Sequence, residues 1–160
     1  NWPKVGKPRS PNFSKTLKTE VVCPNDTNPM GILQGGRLVQ WMDIAAAVCA
    51  QTHAGKICVT ASIDTVGFKR PAYVGDIVTI EARITRAFTT SMEIMVSAWS
   101  KNVFRTKRHL ISESYFTFVA IDENGNVSPV DPVRPSTPVD QAHYNEALKR
   151  RGKNNRPKGK

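Results

Sequence analysis

No stretch of the 160-residue chain is apolar for the about 18 residues that a membrane-spanning helix needs. The first twenty residues are polar and proline-rich and lack the apolar core of a secretory signal, so a cytoplasmic protein is expected. Cysteine is scarce: Cys23, Cys49 and Cys58 form no CxxC pair and, being odd in number, do not read as a disulfide framework. Three histidines and no Cys/His cluster leave no metal-ligand spacing, and neither a metal nor a cofactor is expected. Acidic residues are also few, 13 against 23 basic ones, which suggests a nucleic-acid partner until the charge is located. Seven Lys or Arg fall in residues 149–160 and five in residues 1–20, leaving eleven bases against twelve acids between 21 and 148. The body is near neutral and the charge sits on the ends, so no specific nucleic-acid partner and no membrane partner are expected.

What is present is one strongly apolar stretch from Gln34 to Ala50. It opens on Gly35-Gly36, and apolar residues at 38, 41, 42, 45, 46 and 49 follow helical spacing. Val39, Ile44, Ala47 and Val48 extend the stripe, which predicts a helix buried on most of its circumference. Asp43 is the exception, since a carboxylate in such a segment is costly unless it is paired. Two readings stand for it: an acid leaning into solvent, or a functional carboxylate.

Around this helix the pattern is β. Lys15–Val22 alternates loosely as a first strand, and the loop of Cys23 to Gly31 leads to the glycines. Asn28 in that loop is either a turn residue before Pro29 or a site residue. Gly55 is placed to cap the helix C-terminus. Ile57–Val66 follows, with 57, 59, 61 and 63 on an apolar face and 58, 60, 62 and 64 on a small or polar one. After a connector ending in Gly75-Asp76 come Ile77–Ala87, Ser91–Ser100, a basic loop at 101–107, and His109–Asp122 with Phe116 and Phe118 on one face. Four segments are expected: an extended or disordered arm (1–14), the main domain (15–130), an extended segment with a short terminal helix (131–148), and a disordered basic tail (149–160). The fold class is α+β, one helix covered by a curved antiparallel sheet whose edge calls for a second copy.

Asp26-Thr27-Asn28-Pro29-Met30-Gly31, Gly35-Gly36, Met42-Asp43, Val59 to Asp64, Phe68-Lys69-Arg70-Pro71, Val74-Gly75-Asp76 and Thr90 to Ile94 together resemble the hotdog-fold acyl-CoA thioesterases. The resemblance is to the subgroup of bacterial acyl-CoA hydrolases and the vertebrate brain acyl-CoA hydrolase, and it covers about Thr16 to Val130. It implies a long central helix in a curved sheet, a homodimer, a trimer of dimers making a hexamer, and hydrolysis of acyl-CoA. It also implies Asp43 as general base or nucleophile, Asn28 contributed by the partner subunit, and the backbone N–H near Gly35 on the thioester oxygen. Thr60 is placed facing the site. Lys69 and Arg70 match positions near the coenzyme A nucleotide, or form a solvated turn pair. Ser91 either touches the pantetheine or is an ordinary strand-start serine. Partial desolvation would make Asp43 a better base, and helix-start N–H groups suit a developing oxyanion. The alternative is a non-catalytic acyl-CoA-binding protein. Hydratase chemistry would want a histidine between Asn28 and Asp43, and there is none.

Overall fold

The structure, a computed structural model, describes residues 6–154. Its centre is the predicted helix, which follows a short helix α1 (Pro11–Ser14), strand β1 (Thr16–Val21) and a single 3-10 turn at Pro24–Asp26. This helix, α2, runs Gly35–Ala54 and ends at Gly55, whose φ of 62° is the left-handed conformation that glycine adopts without strain. Then come β2 (Ile57–Ile63), β3 (Gly67–Phe68), β4 (Ile77–Ala87), β5 (Ser91–Lys101), β6 (His109–Ile121) and α3 (Pro138–Asn154).

All strand pairings are antiparallel, in the order β1-β4-β5-β6-β2, with β3 also on β6. Alternation in β4, β5 and β6 turns Val78, Ile80, Ala82, Ile84, Met92, Ile94, Val96, Ala98, Phe116 and Phe118 towards one core. The helix contributes Leu38, Trp41, Met42, Ala45, Ala46 and Cys49 to that core. Because α2 touches β1, β2, β4, β5 and β6 alike, the sheet must curl around it. This is the hotdog architecture, and the α+β expectation holds.

Three expectations change. The helix is not buried all round, because Ile44 and Val48 are exposed in the single chain. The apolar face expected for β2 is split by a register shift between Thr60 and Ser62. Before it, Ile57 and Val59 pair with Ile121 and Val119 on the outer face, while Cys58 and Thr60 pair with Ala120 and Phe118 on the helix side; after it, Ile63 is on the helix side opposite Phe116. The ends also differ from the sequence reading. Pro11–Ser14 is helical, and Arg9 forms a parallel bridge with Val133, so this part of the arm is docked. Helix α3 continues through 149–154, where a disordered tail was expected; residues 1–5 and 155–160 lie outside the described residues.

Helix α3 lies on the outer face of the sheet. Arg83 on β4 donates to Asp140 at 2.7 Å, and Arg150 donates to Glu93 on β5 at 2.6 Å. Burial alone would raise the Asp140 carboxyl, but the hydrogen bond and charge of Arg83 outweigh it and hold Asp140 below its ordinary range. All three cysteines are unpaired. No helix among the described residues is long and apolar enough to cross a membrane.

His53, in the last turn of α2, is fully buried; its Nε2 lies 2.8 Å from the Asp131 carbonyl, and Nδ1 has no partner among the described residues. The neutral ring therefore donates from Nε2. Burial pushes its pKa below the ordinary 6.5, against the opposing pull of Asp131. The unfolded chain then binds the extra proton first, so this contribution to stability is complete above pH 6.5 and is lost as pH falls below it. Denaturant unfolding across this range should show His53→Gln with a shallower loss on acidification than the parent, by at most about 1.4 kcal/mol per pH unit. Equal slopes in both proteins would contradict this assignment.

Candidate functional site

The loop before α2 is built on Asn28. Its Oδ1 accepts from the N–H of Met30 at 2.9 Å and of Ile32 at 3.1 Å, and its own N–H donates to the Ile32 carbonyl at 2.8 Å. Gly31, at φ 75°, closes the turn in a conformation that other residues resist. Asn28 is thus a turn residue through its side-chain oxygen, while its amide N–H₂ has no partner among the described residues. Asp26 ties the loop to the helix: its carboxylate accepts from Cys23 N–H at 2.9 Å and lies 3.2 Å from Arg37 Nε. The sequence reading gave Asp26 no role, although it stands two residues before Asn28.

The helix then begins without a side-chain cap on Gln34. The N–H groups of Gly35, Gly36 and Arg37 find no protein acceptor among the described residues, so they carry the positive end of the α2 dipole uncompensated. Phe68, delivered by β3, lies over Gly35: a Cβ there would come within 2.9 Å of the end of its ring. Behind this contact is a cavity of about 380 Å³ lined by Ile32, Leu33, Gly35, Leu38, Phe68, Lys69, Arg70, Pro71, Ala72 and Ile111. Lys69 and Arg70 therefore share a pocket with Gly35, and neither has a carboxylate partner among the described residues. Arg70 donates to Nδ1 of His109 at 2.9 Å, which puts the neutral ring's proton on Nε2.

Asp43 lies elsewhere. Its half-buried carboxylate accepts a hydrogen bond through Oδ1 from Thr60 Oγ1 at 2.8 Å, across the groove between α2 and β2. The register shift keeps Thr60 facing the helix. Among the described residues Oδ2 has no hydrogen-bond partner, and β2, with no strand on its far side there, leaves the groove open. Eight residues separate Gly35 from Asp43 on one straight helix, about 12 Å at 1.5 Å per residue. An N–H group and a carboxylate at that separation cannot serve the same carbonyl carbon. The candidate residues of one chain thus fall into two groups: Asn28 and Gly35 with the Lys69–Arg70 pocket, and Asp43 with Thr60.

Ser91 joins neither group. The alternation that turns Met92 inward points Ser91 to the outer face, where it accepts from Arg151 Nη1 at 3.0 Å.

Comparison with known proteins follows this geometry. Residues 30–103 match the family model described as the thioesterase superfamily. A Bacillus subtilis protein named as the uncharacterized acyl-CoA thioester hydrolase YkhA is 38% identical over 137 residues, covering 86% of this chain and 80% of its own length. The mouse acetyl-coenzyme A thioesterase is 36% identical over 86% of this chain, but the chain spans only 25% of that protein. A solved apo-hexameric acyl-CoA thioesterase superimposes with a TM-score of 0.89 at 39% identity, covering 92% of this chain and 94% of the other. The Staphylococcus aureus acyl-CoA hydrolase, solved with butyryl coenzyme A and coenzyme A, superimposes at 0.86 with 38% identity over 91% and 89%. That hydrolase has also been solved as alanine variants of Asp43, Thr60 and Asn28 in its own numbering, residue types that occur here at the same numbers.

The contact at Gly35 is directly testable. In Gly35→Ala the new methyl displaces the end of a half-exposed ring rather than backbone, and alanine is the better helix former. Thermal unfolding should therefore hold or rise slightly, while a crystal structure shows Phe68 shifted; a clear loss of stability would mean that the ring is fixed.

Proposed function

The chain belongs to the thioesterase superfamily, and from that premise we propose that it hydrolyses acyl-CoA to free fatty acid and coenzyme A, at sites shared between two copies. The observation that carries this reading is the pair of residue groups about 12 Å apart on one helix. Asp43 of one subunit completes a site with Asn28 and the Gly35 helix start of the other.

The chemistry follows from the atoms. Thr60 occupies Oδ1 of Asp43 and orients the carboxylate, leaving Oδ2 for the reaction. In the general-base route Oδ2 takes a proton from water as the water oxygen attacks the thioester carbon. The carbonyl π electrons move onto oxygen, where the free N–H at Gly35 stabilises the oxyanion. Collapse breaks the C–S bond, and the thiolate takes the proton back from Asp43. In the nucleophilic route Oδ2 attacks the carbon itself, the thiolate leaves, and water cleaves the mixed anhydride. The free amide of Asn28 suits either the water or the carbonyl.

Lys69 and Arg70, without a carboxylate partner among the described residues, suit the phosphates of coenzyme A. Coenzyme A is then part of substrate and product, and no separate cofactor enters the scheme. Ser91, tied to Arg151, is given no role. Pairing of two copies would cover Ile44 and Val48 of α2 and the edge of β2, which the single chain leaves exposed. Three such dimers would give a hexamer, the assembly named for the apo-hexameric relative. A reducing cytoplasm suits its three free thiols.

Asp43→Ala should lower kcat in a thiol-release assay by roughly 10²–10⁴ with the oligomer intact; full activity would sink the proposal. The shared site has a sharper test. Asp43→Ala and Asn28→Ala chains, each nearly inactive alone, should on random co-assembly recover about a quarter of parental activity, because every mixed dimer holds one intact site. No recovery in verified mixed dimers would place both residues in the same chain's site.

A further inference from the structure

Beside the Lys69–Arg70 pocket is a surface that the proposed chemistry does not use. The loop joining β5 to β6, residues 102–108, contains Arg105, Lys107 and Arg108 and no acid. Its turn is fixed: Asn102 accepts from the N–H of Phe104 through Oδ1 at 2.9 Å and from the N–H of Arg105 through its carbonyl at 3.0 Å. That turn carries Phe104 away from the core and leaves it 92% exposed, with Val103 exposed beside it. Arg108 is held at the base of the loop, its guanidinium 4.2 Å from the centre of the Trp99 ring. Asn102 and Arg105 share a cleft of about 500 Å³ with Tyr73 and Val74, which are exposed as well. The one acid lining that cleft, Asp76, is engaged by Tyr73 N–H at 2.9 Å.

An apolar apex inside a cationic collar matches one kind of surface: acyl chains beneath anionic headgroups. A free phosphate ligand would use the cations but gives no reason for an ordered turn that holds a phenylalanine out into water. Ordinary exposed apolar residues are scattered, whereas these sit on neighbouring turns under one sign of charge. We infer that the 102–108 loop docks the protein on anionic bilayers, with Phe104 in the acyl region and Arg105, Lys107 and Arg108 on headgroup phosphates. The contact is peripheral and needs no spanning segment. Arg70 and Pro71 line both this cleft and the Gly35 cavity. Docking therefore brings the mouth of the proposed coenzyme A pocket to the bilayer, where long-chain acyl-CoA partitions. That consequence rests on the proposed activity, but the docking does not.

The test is flotation of the full chain with phosphatidylcholine vesicles, with and without about one third phosphatidylglycerol. The parent should float with the anionic vesicles and remain in solution with the neutral ones. Phe104→Ser, and Arg105→Glu with Lys107→Glu, should each lower the bound fraction by at least about tenfold at unchanged circular dichroism. In Phe104→Trp, lipids brominated on the acyl chains should quench the added fluorescence. Three results would overturn the proposal: loop variants that bind like the parent, binding abolished by ending the chain at residue 154, or an unquenched tryptophan. Preference for a single-stranded oligonucleotide over vesicles would likewise reassign the surface to stacking on bases. Thiol release from a short-chain acyl-CoA in vesicle-free buffer is the separate arm. The loop variants should match the parent there, and an inactive parent would remove the hydrolase reading while leaving the flotation result intact.

Discussion

Burial of one helical stripe organises this protein. Leu38, Trp41, Met42, Ala45, Ala46 and Cys49 have to be taken out of water together, and no flat sheet covers a cylinder on that arc. Five strands curl around α2 to do so, and Phe116 and Phe118 join the small Ala45, Ala46 and Cys49 in one core. The small residues let the strands approach the helix closely. The same closeness brings Thr60 within hydrogen-bond reach of Asp43, so the carboxylate is held by a consequence of core packing.

The helix also sets the spacing of the chemistry. Its start carries free N–H groups and its middle carries the acid, and a rigid rise of about 1.5 Å per residue keeps them apart. No side-chain motion closes that gap, and the proposed shared site closes it with a second copy. The exposed β2 edge and the uncovered Ile44 and Val48 call for the same remedy on grounds of burial alone. The proposed catalytic geometry and the exposed apolar residues thus point, on separate grounds, to association.

Much of this was legible in the residues. The stripe and the inward faces of β4, β5 and β6 follow from periodicity, because those residues are buried within their own chain. Asp43 stood out because a charge in an apolar segment needs an explanation. Asn28 and Gly35 became candidates only through the resemblance, since neither local pattern separates a site residue from a turn or a helix start. Three features were not legible. Phe68 over Gly35 depends on β3 pairing with β6, a contact between distant parts of the chain. The docking of α3 rests on Arg83–Asp140 and Arg150–Glu93, long-range pairs hidden in segments that read as charged and solvated. The outward position of Ser91 and its bond to Arg151 were hidden because a place in a motif says nothing about which face of the sheet a residue occupies.

The register shift in β2 shows why such details matter. Strict alternation would carry the apolar set 57, 59, 61 and 63 on one side, and any choice of side would then be wrong for part of the strand. Towards the helix, that set would displace Thr60 and leave Asp43 unpaired; away from it, Ile63 would face outward with Ile57 and Val59. One extra residue between Thr60 and Ser62 resolves the conflict. Thr60 keeps its hydroxyl on Asp43, Ile63 turns to the helix side opposite Phe116, and Ile57 and Val59 stay outside. A single unpaired residue in an edge strand thereby divides that strand between holding the carboxylate and presenting an apolar edge.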